Sequence, residues 1–151
     1  MGKEPVVVRS EFSLEIARPP ADVFAYLAEP ERMPEWQSSA VAARCASDGP
    51  LGVGSRIEET RSFLGRRVET TLEVTEYEPD RVLSLRTVRG PVRVEVRHML
   101  EPSNGGTRLT FVGTGEPKGF GGFAQSLLVK TAEREFKRDF KRLKEILEGR
   151  G

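Results

Sequence analysis

Three side chains carry the chemistry this sequence could do: His98, Glu59 and Arg61. His98 is the sole histidine, and between Val92 and Glu101 it shares a parity with Val92, Val94, Val96 and Leu100. A half-buried strand there would turn it inward. A neutral imidazole in that position could shuttle a proton or donate to a ligand carbonyl. The alternative is a histidine hydrogen-bonded near the edge of the core. Glu59 and Arg61 share a parity with Ile57 and Phe63, which would send a carboxylate and a guanidinium inward together. Such a pair is costly unless compensated. It would offer an acid/base and an anchor for an anion or carbonyl, as enolisation and aldol cyclisation require. The alternative is a register change at a bulge, leaving both groups in solvent or in a rim salt bridge.

Other chemistries find no support in the pattern. Cys45, the single cysteine, cannot form an internal disulfide and has no neighbour in sequence that would lower its pKa. One histidine and one cysteine make a protein-only zinc site unexpected, and no metal or cofactor is implied. Gly52-Val53-Gly54 lacks the lysine of a phosphate loop, and no nucleophile elbow accompanies the histidine. The net charge of +1 gives no overall field for nucleic acid. No apolar run approaches the roughly 20 residues of a membrane helix, no signal-peptide core follows Met1, and Val6 breaks the myristoylation pattern that Gly2 suggests. A cytoplasmic protein, monomeric or weakly homodimeric, is expected.

The elements that must position these groups are legible from punctuation and period. A chain of 151 residues, 37% hydrophobic and 31% charged, is expected to be one domain over its whole length. Val6 to Ile16 alternates as a half-buried strand, and Pro19-Pro20 turns it into a short helix with Val23, Phe24, Tyr26 and Leu27 on its apolar side. Glu31 to Glu35 makes one more turn, closed by Trp36. Strands then follow at Ser39–Cys45, Gly54–Phe63, Arg66–Tyr77, Arg81–Val88, Val92–Glu101 and Thr107–Gly113, separated by glycine, proline and asparagine turns. Connections this short exclude crossover helices, so the sheet is an antiparallel meander. A glycine-rich loop from Gly113 to Gly122, expected to be mobile, leads into one long helix from Phe120 to Glu148. Its apolar residues form two sets, Phe120, Phe123, Ala124, Leu127 and Leu128, then Phe136, Phe140, Leu143 and Leu147. The second set is expected to seal the sheet and the first to face a less completely filled space; the alternative is a curved helix packed along its length on one twisted sheet. A helix on a curved antiparallel sheet is an α+β solution, and a strongly bent sheet tends to enclose a pocket.

Several motifs resemble the START-like, or SRPBCC, superfamily. They are Pro19-Pro20-Ala21-Asp22-Val23-Phe24 with Pro30-Glu31-Arg32 and Trp36, Gly52-Val53-Gly54-Ser55-Arg56, Val74-Thr75-Glu76-Tyr77-Glu78-Pro79, and Leu100-Glu101-Pro102 before Gly106-Thr107-Arg108-Leu109-Thr110. The bacterial polyketide cyclase/dehydrase-like branch is the most similar, and the resemblance extends from about Phe12 to Leu147. It implies a helix-grip fold: a curved seven-stranded antiparallel sheet wrapped around the long C-terminal helix, two short helices after the first strand, and an internal apolar cavity. It does not fix the chemistry.

The expected cavity wall comprises Phe12, Tyr26, Trp36, Leu72, Leu85 and Val96 together with His98, Phe111, Phe120, Phe123 and Leu127. Inward positions are more apolar than polar. The leading expectation is therefore a binder of a small hydrophobic ligand of polyketide, lipid, quinone or isoprenoid type. The alternative is an aromatase/cyclase or dehydrase-type enzyme in which His98 acts with Glu59 or Arg61. A protein-interaction or chaperone-cofactor role would require a large exposed apolar patch.

Overall fold

The structure, a computed structural model, describes residues 8–63, 65–116 and 122–149. Strand β1 (Val8–Ile16) is followed by α1 (Pro20–Leu27), a 3-10 turn (Pro30–Arg32) and α2 (Met33–Trp36). Six strands come next: β2 (Ala40–Cys45), β3 (Arg56–Phe63), β4 (Arg66–Glu78), β5 (Val82–Arg89), β6 (Arg93–Ser103) and β7 (Gly106–Glu116). The chain ends in α3 (Gly122–Gly149).

Local chemistry sets these boundaries. Pro20 occupies the first helical position of α1, and Asp22 in the first turn pairs with Arg18 at 2.7 Å. Asn104 and Gly105 hold φ of 50° and 78°, the double left-handed geometry that a tight hairpin between β6 and β7 needs. The strand expected over Thr107 to Gly113 runs on to Glu116, because Thr114 pairs with Arg9 and Glu95, and Glu116 with Arg93. Val92 falls outside β6. Val6 and residues 117–121 of the loop expected to be mobile lie outside the described residues.

The seven strands are ordered β1-β7-β6-β5-β4-β3-β2, all neighbours antiparallel. The two edges, β1 and β2, are thus joined only through α1 and α2, which must span one end of the sheet. Register shifts at Thr71/Leu72 and Val74/Glu76 in β4, and at Ala40/Ala42 in β2, bend the sheet. Its concave face presents Ile16, Leu72, Leu85, Leu100, Leu109 and Phe111, all buried, to Phe140, Leu143 and Leu147 of α3. Buried Gly113 keeps that face open beside Phe111, since a Cβ there would lie 2.9 Å from the Phe111 ring.

Helix α3 seals the core with its C-terminal half, as expected. The Phe140 ring lies 5.4 Å from Phe12, 5.1 Å from Trp36, 4.9 Å from Phe111 and 5.7 Å from His98, centroid to centroid. Leu127 does not join this interior: it is 60% exposed. Nine residues before Phe136, at about 100° per residue it projects from the opposite side of the helix. Phe120 and the Phe123 side chain lie outside the described residues.

Phe140→Ala removes the ring on which four aromatic neighbours converge. We expect a loss of about 3–5 kcal/mol of stability, read by chemical denaturation. A loss below about 1 kcal/mol would show that α3 does not seal the core.

Candidate functional site

The site begins at His98 on β6, buried on the concave face. Its Nδ1 lies 3.0 Å from the carbonyl oxygen of Leu83, the residue opposite it on β5. A carbonyl only accepts, so Nδ1 carries the proton and donates, leaving Nε2 as the lone-pair nitrogen. Burial disfavours the imidazolium and pulls the His98 pKa down to about 4, against the smaller opposing pull of the Leu83 carbonyl. The ring is neutral at pH 7. With Phe111 and Phe140 each 5.7 Å away, it is part of the aromatic core as well as of a site.

His98 also lines a cavity of about 20 Å³, room for roughly one water-sized group. Trp36, Leu85, Leu83 and Ile57 form much of its wall, and Leu27, Pro30 and Met33 close it from the helical segment. Leu51, on the loop between β2 and β3, completes the apolar lining, and Gln37 is the other polar member.

Gln37 connects the cavity to a buried ionic cluster. The Glu59 side chain is 2% exposed and takes two bonds from Arg61, from Nε at 2.8 Å and from Nη2 at 3.0 Å. Arg61 also donates to Gln37 Oε1 and, at 2.7 Å, to Ser39 Oγ. Both charges therefore point inward. The register shift that would have turned them out occurs instead in β2, between Ala40 and Ala42, so β3 keeps an unbroken alternation. Across the gap, buried Asp139 of α3 accepts from the Ser38 N–H at 3.1 Å. Burial pushes its pKa up and nearby Glu135 adds to this, while the Ser38 hydrogen bonds and the Arg61 charge oppose it.

The chain matches the family described as polyketide cyclase / dehydrase and lipid transport over residues 7–148. It belongs to that family. Among solved structures, the Zhui aromatase/cyclase of a Streptomyces species superposes with a TM-score of 0.81 at 16% identity, covering 96% of each chain. A START superfamily protein from Mycobacterium smegmatis gives 0.78 at 15% identity, covering 93% of this chain and 97% of the other. A protein from Thermus thermophilus gives 0.77 at 21% identity, covering 94% and 97%. At such identities the likeness establishes the START-like, helix-grip fold alone. No curated protein matches the chain.

In this member of the family, the structure gathers Trp36, Leu85 and His98 from the expected wall at the cavity. Phe12 and Phe111 pack on each other 5.1 Å apart, within the aromatic core, and Leu72 is buried in the same core. Half-buried Val96 lies opposite Leu85 and Gly113. Tyr26 is buried, but its hydroxyl donates to Glu35 at 2.7 Å and Arg32 stacks over its ring, so its polar end faces the helical rim. Gln37, Leu51, Met33 and Pro30 escaped the sequence reading, as did Asp139. Leu51 had a signal, being the one apolar residue in Ser47–Gly52. Asp139 had one too: three residues after Phe136 and four before Leu143, it falls on the sealing stripe. Gln37 had none.

No group of three or more potential metal ligands occurs among the described residues, and no helix among them is long and apolar enough to cross a membrane.

Two predictions follow from this geometry. His98 binds a proton in the unfolded chain near pH 6.5 but in the folded one only near pH 4. The unfolded state thus holds more protons between these values, and stability falls as pH drops through that window, by roughly 3 kcal/mol at most. His98→Asn, which retains an N–H donor for Leu83 without titrating, should lack that slope in urea unfolding at successive pH values. Separately, Arg61→Met leaves Glu59 buried without its partner and should cost about 3–5 kcal/mol, whereas Glu59→Leu with Arg61→Met should cost far less.

Proposed function

We propose that this protein binds a small lipophilic molecule of polyketide, lipid, quinone or isoprenoid type between the sheet and the helices. The observation that carries the reading is the cavity wall: among the described residues, aliphatic and aromatic side chains interrupted only by Gln37 and His98. The interior ionisable groups are already engaged. Glu59 gives both oxygens to Arg61, Asp139 is held by Ser38, and His98 is a neutral ring too weakly basic to take a proton efficiently at pH 7. At about 20 Å³ the cavity seats one group of a ligand, so a larger body enters only as the lining moves. Leu51 is the lining residue carried on an extended loop.

A second reading, an enzyme of the cyclase or dehydrase type, draws support from the Glu59–Arg61 pair and its link to the cavity through Gln37. Substrate entering beside Gln37 would compete for the Arg61 donors and free Glu59 as a base.

Native mass spectrometry of the purified protein, followed by solvent extraction, separates the two. Carriage predicts an adduct with the mass of an intact lipophile, recovered unchanged after incubation with excess protein. Conversion of the extracted compound to a product of altered mass or ring count would overturn carriage in favour of catalysis.

A further inference from the structure

The polar groups at the cavity specify the ligand's polar end more narrowly than the apolar wall does. His98 Nδ1 is committed to the Leu83 carbonyl, and Nε2 makes no hydrogen bond among the described residues. The ring is 5% exposed and lines the cavity, so an acceptor lone pair remains on a side chain otherwise enclosed by protein. Arg61 offers only donors, which identifies the Gln37 atom it bonds as the amide oxygen. The polar group Gln37 retains for the cavity it lines is its NH₂ donor. His98 and Gln37, the one with an uncommitted acceptor and the other with an uncommitted donor, both line a space of about 20 Å³, enough for a single oxygen-sized group.

We infer that the cavity is a subsite for one hydroxyl group, a phenol or alcohol, which donates to His98 Nε2 and accepts from the Gln37 amide. A carbonyl or ether oxygen would satisfy Gln37 and leave the His98 lone pair buried against another acceptor. The histidine therefore acts as an acceptor and not as the donor to a carbonyl considered from sequence. Its low basicity keeps it in that role at neutral pH, because the ring does not become a double donor until near pH 4. The inference rests on the binding reading above and narrows its ligand to hydroxylated lipophiles, against quinones and fully etherified compounds.

The test uses the full chain labelled with nitrogen-15 histidine, in which His98 gives the sole histidine ring signals. It is titrated with thymol and with thymol methyl ether, which share one ring skeleton and differ in that a methyl group replaces the hydroxyl proton. Thymol should bind about tenfold or more tightly than the ether, the cost of leaving a buried acceptor unpaired, and should shift the Nε2 resonance while Nδ1 stays protonated. In His98→Phe the advantage of thymol should vanish; the comparison on the unaltered chain stands if that variant does not fold. Equal affinities with Nε2 unmoved would overturn the hydroxyl subsite and leave the binding function standing. Binding of neither compound would overturn both.

Discussion

The structure depends on the packing of Phe140 into the concave face of the sheet. One ring on α3 touches Phe12 on the edge strand β1, Phe111 and His98 on the next two strands, β7 and β6, and Trp36 from the segment that spans the sheet's open end. Three parts of the fold that are distant in sequence thus share a single contact point. An aromatic cluster of this kind supplies large apolar area together with preferred ring geometries, and it fixes where α3 can lie. The orientation of His98 follows from it, because the imidazole packs against both Phe111 and Phe140 while its Nδ1 is drawn to the Leu83 carbonyl.

That arrangement divides the interior into two chemistries. Toward α1 and α2 the wall is apolar, with one neutral acceptor, His98, among the described residues. Toward β2 and β3 it holds a buried carboxylate and its guanidinium, with Gln37 between the two regions. The ionic side is tolerable because its desolvation is offset by directed hydrogen bonds: Glu59 accepts twice, and Arg61 also reaches Gln37 and Ser39. Among the described residues, no fully enclosed side-chain nitrogen or oxygen lacks a partner, and His98 Nε2 is left to the cavity that the ring lines. A site built this way recognises a ligand by what it lacks, one donated hydrogen bond, more than by charge.

Much of the fold was legible because turns and periodicity are local. Asn104-Gly105, Pro19-Pro20 and the alternation in β6 and β7 each act over a few residues. The inward faces of those strands were therefore readable, and with them the positions of His98 and Phe111. The long helix was legible in extent but not in facing. Its first apolar set placed Leu127 with the interior, whereas the helix turns it outward, since a stripe shows which residues share a side and not which side meets the sheet.

The sequence by itself determined the order of elements, the alternation that points Glu59, Arg61 and His98 one way, and the solitary histidine. Only the tertiary structure decided what those groups do. Whether β3 or β2 absorbs the irregularity depends on how two strands pair, and the shift at Ala40/Ala42 is what keeps Glu59 and Arg61 inside. Which nitrogen of His98 donates depends on a carbonyl fifteen residues away. The role of Gln37 arises where the end of α2, the β3 pair and the β6 histidine converge. Such convergence is a property of distances between segments remote in sequence, and no local pattern encodes it.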